Sequence, residues 1–272
     1  MSNSRPLSPS DYRYPGEHLI LALTVLLVLV IIAVTAAATL CGSVLFVGGM
    51  VILAYFSTRA KHAELVQRAQ PVNAATAPQL WALVEAGAAR LGPGPVAAFV
   101  TPSRVLNAYT FGLDSPKVVV LESALLEVMD ADEMAFIISH ELGHVRLGHT
   151  WLNSLVGGLA GIPSPASAFG LMQLAFLWWN RACEHSADRA GVLATGRPDK
   201  AISALVKLAT GGRAQSAAEL QWALQQVEAQ GADAGAQLSE ALATHPLMAR
   251  RIAELRRYAA SPAYQRLAAR GG

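Results

Sequence analysis

The fold and chemistry of this chain are decided by the stretch Ile138-Ser139-His140-Glu141-Leu142-Gly143-His144, a His-Glu-x-x-His pattern inside a run of helical periodicity. On an α-helix, residues four apart lie on one face about one turn apart, so His140 and His144 can offer two imidazole nitrogens to one metal ion. Glu141 then lies beside the ion without binding it. Two neutral ligands, a carboxylate that can take a proton from water and an open coordination position are what a hydrolytic zinc site requires.

The helix that carries this pattern can be outlined from its neighbours in the sequence. Asp130, followed by Glu133 three residues later, matches a capping box and predicts a helix N-terminus. An apolar stripe at helical spacing follows, formed by Met134, Ile137, Ile138, Leu142 and Val145. We therefore expect one side of the helix to be buried, while the histidine pair, which lies partly off the stripe, faces a cleft.

Composition places the chain among membrane-associated proteins. It has 272 residues, of which 53% are hydrophobic and 15% charged, and its mean hydropathy is +0.36. These values lie on the membrane side of the averages for soluble domains. The net charge of +2 gives no indication of a nucleic-acid partner. Cys41 and Cys183 fit neither a disulfide framework nor a cysteine metal site and are interpreted as small apolar residues.

The N-terminal apolar run predicts a membrane anchor in the lipid bilayer. No charged residue occurs from Leu19 to Ser57, about twice the roughly 20 residues that one spanning helix needs. A transmembrane hairpin turning within residues 35–43 is favoured, and one long tilted span is the alternative. A secretory signal peptide is less favoured because the run is too long and lacks a clear cleavage site.

Charges on both flanks of this run predict its orientation. Arginines and a lysine occur before and after the run, namely Arg5, Arg13, Arg59, Lys61 and Arg68. By the positive-inside rule both ends, and hence the rest of the chain, are expected in the cytoplasm. The membrane is expected to be a bacterial inner (cell) membrane. The predicted organisation is a polar N-terminal tail over residues 1–17, a transmembrane hairpin over 18–57 and a catalytic domain over 58–272.

The catalytic domain is predicted to be mainly α with a small β-sheet. A helix is expected over Ala77–Leu91, and a short one over Ser123–Val128. Three runs between them read as strands of an antiparallel or mixed sheet, Val96–Thr101, Ala108–Phe111 and Val118–Leu121. Several helices are expected after about Pro198.

A second uncharged stretch covers residues 151–179 and is broken by glycines and prolines. A single transmembrane span would carry any later metal ligand to the other side of the membrane, and about 15 residues per leg is short for two full spans. We therefore expect an apolar helical hairpin, packed in the core or dipping into the membrane.

A third zinc ligand must come from outside the helix of the two histidines. A histidine six residues after His144, with a glycine midway, would complete one known pattern, but those positions are Thr150 and Leu147. His149 is about half a turn out of phase with His140 on a helix and is predicted to lie at the surface. The remaining candidate is Glu184.

Glu184 and Asp188 share one face of a later helix, because they are four residues apart. Glu184 can complete a two-histidine, one-glutamate zinc site, and Asp188 can accept the free ring N–H of a ligating histidine. Taken alone, the segment is equally compatible with an ordinary salt-bridged helix face. The upstream histidine pattern favours the metal site.

Four motifs together give a family resemblance over roughly residues 60–260. They are Asn107-Ala108-Tyr109, His140-Glu141-Leu-Gly-His144, Glu184-His-Ser-Ala-Asp188-Arg189, and Thr244-His245-Pro246 followed by Arg251-Ile252. In order and spacing they resemble the membrane zinc metallopeptidases that include the HtpX-like proteases and the CAAX prenyl proteases. The chain departs from the prenyl proteases, which have many more spanning helices, and Thr244-His245-Pro246-Leu247 lacks a second proline common in the family.

The resemblance implies an α+β zincin-like domain and an endopeptidase of the gluzincin type, with one zinc ion per chain and polypeptide substrates that are membrane or misfolded proteins. It implies zinc ligation by His140, His144 and Glu184, with Glu141 as the base. By the same resemblance His245 stabilises the oxyanion, and Asn107 binds the substrate backbone at the sheet edge. The alternative is a membrane-anchored binding or chaperone-like protein with a non-catalytic zinc site.

Overall fold

Helices dominate the computed structural model, which describes residues 6–38, 42–156, 168–231 and 248–269. The helices are α1 Pro9–Tyr12, α2 Glu17–Ala38, α3 Gly42–Arg68, α4 Pro78–Leu91, α5 Ser123–Val128, α6 Ala131–Leu147, α7 His149–Val156, α8 Ala168–Thr195, α9 Pro198–Ala209, α10 Ala217–Gly231, α11 Met248–Ala259 and α12 Pro262–Ala269. The strands are β1 Gln70–Val72, β2 Val96–Thr101, β3 Ala108–Phe111 and β4 Lys117–Glu122. The predicted fold class, mainly α with a small sheet, is confirmed.

The sheet is mixed and has the strand order β1-β2-β4-β3. Strands β2 and β4 pair in parallel at its centre, and β1 and β3 pair antiparallel on either side. The central strand β4 is buried on both faces, which fits its run of β-branched residues and Leu121. Of the four strands in the described residues, β1 alone was not predicted from the sequence, because it is three residues long and contains Pro71. Strand β3 lies at the edge and contacts α6 and α7.

The N-terminal helices carry the apolar surface predicted for a membrane anchor. Among the described residues one helix, over Glu17–Ala36, is long and apolar enough to cross a bilayer. Its large side chains are exposed, with Leu19 at 64% and Val34 at 67%, and a contiguous apolar surface of this kind indicates a lipid or protein partner. Helix α3 contacts α2 and continues without a break into the polar segment that follows. The transmembrane hairpin over 18–57 stays a prediction.

The segment before α2, predicted as a polar tail, packs on the catalytic domain from residue 6 onward. Tyr12 is completely buried, and the Tyr258 hydroxyl donates to the Asp11 carbonyl oxygen at 3.0 Å. The Arg189 guanidinium lies over the rings of both Tyr14, at 5.0 Å, and Tyr258, at 4.6 Å. These contacts fix the start of α2 relative to the domain.

Helix α6 lies at the centre of the domain, between α4 and α8 and against β3 and β4. The predicted capping box is present: the Asp130 carboxylate accepts from the Glu133 amide at 2.9 Å, and the Glu133 carboxylate accepts from the Asp130 amide at 2.8 Å. Gly143 allows α8 to approach closely, because a Cβ on this residue would lie 2.7 Å from Cβ of Ala190. The two helices that carry the predicted metal ligands are therefore in direct contact.

The apolar stretch 151–179 forms parts of two helices that contact each other, α7 and α8. Residues 157–167, where the predicted turn falls, lie outside the described residues. Phe176 and Trp179 of α8 are buried against Ile20, Leu21 and Val28 of α2. That this pair of helices dips into a membrane stays a prediction.

Candidate active site

The three predicted metal ligands come together between α6 and α8. Nε2 of His140 and Nε2 of His144 are 3.2 Å apart, and they lie 3.7 and 3.5 Å from the two carboxylate oxygens of Glu184. Zinc–nitrogen bonds of 2.0–2.1 Å in a tetrahedral arrangement place neighbouring donors about 3.3–3.4 Å apart. The donor types and their spacing therefore fit one zinc ion, with a fourth position left for water.

Glu141 is buried beside these ligands and lines the same cleft. Burial raises the pKa of its carboxyl group, although His140 and His144 act in the opposite direction. A carboxylate that is held in a dry site next to the metal position, without being needed as a ligand, has the placement of a general base.

Asp188 occupies the predicted position behind His140. Its Oδ1 lies 3.0 Å from Nδ1 of His140, so the ring proton belongs on Nδ1 and the lone pair of Nε2 points toward the metal position. Burial alone would raise the pKa of Asp188, but the Arg251 guanidinium and His140 together outweigh it and hold the value at about 2. Asp188 is therefore an ionised acceptor for this ring.

Arg251 is the main residue of the site whose role the sequence did not reveal. It is buried on α11 and donates to both oxygens of Asp188, from Nε at 2.9 Å and from a terminal nitrogen at 2.6 Å. Its other terminal nitrogen lies 3.0 Å from Glu184, and this cation, helped by His144, holds the pKa of Glu184 well below its usual range against the effect of burial. The signal was present in the Arg251-Ile252 motif, but a lone arginine does not indicate its partners.

The prediction that His149 lies at the surface is wrong. Its side chain is almost completely buried, its Nδ1 lies 3.0 Å from Nδ1 of His144, and its ring packs edge-on against Trp179. The phase argument assumed one continuous helix, whereas α6 ends at Leu147 and is capped by Gly148, which has a φ of +82°. The new helix α7 starts at His149 and brings the ring back toward His144.

Glu17, the first residue of α2, contacts His149 on the side away from His144. It was not identified from the sequence as part of the site. Its carboxylate oxygen Oε1 lies 3.3 Å from Nε2 of His149, and the carboxylate accepts from Arg13 and from the Ser186 hydroxyl. Burial lowers the pKa of His149 to about 4. Glu17, His149 and Cys183 form a second group of buried potential metal ligands among the described residues. The signal in the sequence was a carboxylate directly before an apolar run.

Strand β3 forms one wall of the cleft. The cleft has a volume of about 210 Å³ and is bordered by Asn107, by β3 and by the predicted metal ligands. Within the described part of the chain no strand pairs with the outer edge of β3, but the Gly112 amide donates to the Ser154 hydroxyl of α7 at 3.0 Å. The half of β3 next to Asn107 is thus the half open to the cleft. His245 lies outside the described residues.

Comparisons with known proteins agree with this geometry. The model of peptidase family M48 matches residues 73–259. The chain is 26% identical over 255 residues to a protease HtpX homolog of Ralstonia nicotianae, covering 82% of this chain and 88% of that protein. It is 28% identical over 228 residues to a protease HtpX homolog of Pyrococcus furiosus, covering 70% and 77%.

A plant relative matches over a shorter segment. The plastoglobule-localized metallopeptidase 48 of Arabidopsis thaliana is 34% identical over 123 residues, which cover 42% of this chain and 35% of the plant protein. The family model covers more than half of the chain, so the resemblance inferred from the four motifs is confirmed. The chain belongs to peptidase family M48 and is a membrane-anchored metallopeptidase.

Proposed function

We propose that this metallopeptidase is a zinc endopeptidase whose metal is held by His140, His144 and Glu184. The observation that carries the proposal is the spacing of the three donors, 3.2 to 3.7 Å, between two helices whose close approach Gly143 allows. When bound, zinc would polarise the scissile carbonyl and acidify a water molecule. The number of donors supports one zinc ion per chain.

The chain's own residues supply the proton transfers. Glu141 takes the proton from the attacking water and later delivers it to the leaving amine. Asp188 fixes the tautomer of His140 at 3.0 Å, and Arg251 keeps Asp188 and Glu184 ionised within the core. His245 is proposed, on the family resemblance alone, to stabilise the oxyanion that develops on the substrate.

The substrate is proposed to add as a strand along the open half of β3. Extended peptides bind exposed sheet edges through main-chain hydrogen bonds, and residues 107–110 provide such an edge beside the metal ligands. Asn107, which borders the cleft, is proposed to bind the substrate backbone at the start of this edge. Because any peptide can pair with a strand edge, the geometry supports broad specificity for unfolded segments of membrane or misfolded proteins.

The catalytic domain is proposed to face the cytoplasm of a bacterial cell, beside the inner membrane. The positively charged residues on both flanks of the apolar run support this orientation. A reporter fused after Gly272 should then be active only in the cytoplasm, and activity on the opposite side of the membrane would reverse the orientation.

The proposal is tested by cleavage of an unfolded substrate such as casein by the purified full-length protein. Glu141→Gln should abolish cleavage while leaving zinc bound, and a chelator should abolish the activity of the wild type. Asp132→Asn is the matched control, because it removes the same charge from an exposed position on the same helix. Equal cleavage by wild type and Glu141→Gln would exclude this mechanism.

The same variants separate the enzyme from a binding protein with a non-catalytic zinc site. An enzyme turns substrate over as wild type and traps it as Glu141→Gln. A binding protein would capture substrate equally in both forms, with no turnover by either. Nothing in the comparisons supports this alternative.

A further inference from the structure

Three side chains in successive contact connect the first turn of the membrane helix to the metal position. They are Glu17 on α2, His149 on α7 and His144 on α6. The contacts between them are 3.3 Å from Glu17 Oε1 to His149 Nε2 and 3.0 Å from His149 Nδ1 to His144 Nδ1. All three side chains are buried, so water does not compete for these contacts.

The positions of the protons along these three side chains follow from Glu17, the residue farthest from the metal position. Arg13 and the Ser186 hydroxyl both donate to the Glu17 carboxylate, which is the environment of an ionised carboxylate. An ionised Glu17 has no proton to give to the ring that faces it at 3.3 Å, so this contact is favourable only when the proton of His149 is on Nε2. A neutral imidazole with its proton on Nε2 has a bare lone pair on Nδ1.

The same logic determines the tautomer of the zinc ligand. Two Nδ1 atoms 3.0 Å apart must share one proton between them, because two N–H groups would oppose each other and two lone pairs would repel. With the lone pair on His149, the proton belongs to His144 Nδ1. The free lone pair of His144 is then on Nε2, the atom that faces His140 and Glu184.

We propose that Glu17 and His149 are positioning residues that hold His144 in its metal-binding tautomer and orientation. This inference rests on the proposed zinc site and extends it to the anchor, because Glu17 is the first residue of the membrane helix. Glu17 also precedes the segment matched by the family model, residues 73–259. The anchor thus contributes to metal binding as well as to attachment.

The competing interpretation is a second metal site formed by Glu17, His149 and Cys183. Binding through His149 Nε2 would move the ring proton to Nδ1. His144 Nδ1 would then have to accept, and its own proton would move to Nε2, the atom required by the first zinc. An ion at this position would also lie beside the Arg13 guanidinium that already occupies the carboxylate. Both features favour positioning over a second metal.

The test uses the full-length protein carrying Glu141→Gln, which removes self-cleavage as a complication, with zinc affinity measured against a competing chelator. His149→Leu removes the acceptor for His144 Nδ1–H, and Kd for zinc should rise about 10- to 100-fold. His149→Asn places a carbonyl oxygen near the former Nδ1 and should restore most of the affinity. Glu17→Gln should weaken binding several-fold.

A matched control is Glu133→Gln, which changes a buried, ion-paired carboxylate that faces Lys207 and does not touch the chain of contacts. Its Kd for zinc should stay within twofold of the parent value. An unchanged Kd in His149→Leu would overturn the positioning role while leaving the zinc site intact. Absence of zinc binding by the parent protein would instead overturn the zinc site itself.

Two further readouts distinguish positioning from a structural role or a second metal. NMR spectra of the zinc-loaded protein with ¹⁵N-labelled histidine should contain a His149 ring signal that disappears in His149→Asn. That signal should show the tautomer with its proton on Nε2. An Nδ1–H tautomer would contradict the proposal. One zinc per chain is expected, and two zinc ions in the parent with one in Glu17→Gln would establish the second metal site in its place.

Discussion

Substituting Gly143 by alanine tests whether the contact between α6 and α8 sets the ligand geometry. The added methyl group would lie 2.7 Å from Cβ of Ala190, whereas two carbon atoms require about 3.5–4.0 Å, so the helices must separate by roughly 0.8–1.3 Å at this point. His140 and Glu184 belong to the same two helices, and the 3.7 Å distance from His140 Nε2 to Glu184 Oε2 should increase by a similar amount.

That displacement is large on the scale of a metal site, where ligand distances are held to about 0.2 Å. We expect Gly143→Ala to weaken zinc binding at least about tenfold and to lower the free energy of unfolding by about 1–3 kcal/mol through overpacking. Chelator competition on the Glu141→Gln form measures the first effect. Thermal unfolding of the chelated protein in detergent measures the second.

A double variant that exchanges the alanine and the glycine between positions 143 and 190 provides the decisive comparison with Gly143→Ala. In the double variant Gly143→Ala, Ala190→Gly, the nearest remaining neighbours of the new methyl group are backbone atoms of Ala187 at 3.5 and 3.7 Å, an ordinary contact. Helix propensity is lost at one position and gained at the other by about 1 kcal/mol each, so the double variant should recover both zinc affinity and stability.

The control is Gly48→Ala, since Gly48 lies in helix α3 and a Cβ added to it would have no neighbouring atom within 4 Å; this variant should bind zinc as the parent does. If Gly143→Ala bound zinc with unchanged affinity, the close approach would not be what sets the site. A double variant no better than the single variant would equally refute the reasoning.

Three other predictions concern single residues. Arg251→Met leaves the buried Asp188 and the partly buried Glu184 without their cation and should cost about 3–5 kcal/mol of unfolding free energy, measured by denaturation in detergent; stability unchanged within about 1 kcal/mol would refute this. Burial raises the pKa of the Cys183 thiol, so in a Cys41→Ser background alkylation should be much slower in folded than in denatured protein, and equal rates would contradict it. Asp130→Ala removes the N-cap of α6 and should cost about 1 kcal/mol. Hydrogen bonds from Lys200 and the helix N-terminus outweigh burial and lower the pKa of Asp130, so its contribution is present above the ordinary aspartate range and is lost as the pH falls through the lowered value; a pH-independent difference in Tm would exclude this.

The parts of the fold that could be predicted are those coded by neighbouring residues. The capping box at Asp130 and the apolar stripe after it predicted α6. The strand-like run Val96–Thr101 predicted β2. The i,i+4 spacing of Glu184 and Asp188 predicted which side chains share a face. Such signals depend on local geometry, which tertiary packing did not override here.

The parts that could not be predicted depend on contacts between distant segments. Glu17 and His149 are 132 positions apart in the sequence, and nothing local indicates that α2 begins against α7. His149 was misplaced because the α6 helix was assumed to continue, whereas Gly148 ends it with a positive φ. Arg251 lies on α11, and only the assembled fold brings it between Asp188 and Glu184.

The charges of the assembled site explain why one arginine accompanies the ligands. If Glu141 is ionised together with Glu184 and Asp188, the three carboxylates contribute three formal negative charges and Arg251 contributes one positive charge, so two negative charges are left uncompensated among these side chains. A divalent cation held by the histidines and Glu184 makes the cluster neutral, and burial of charge is tolerated only when it is paired or coordinated to metal. A second buried lysine or arginine in place of the metal would supply only one of the two missing positive charges and would leave the two Nε2 lone pairs without a partner. The donor set and the charge count therefore favour the same occupant, and metal binding and the packing of α6 on α8 stabilise each other.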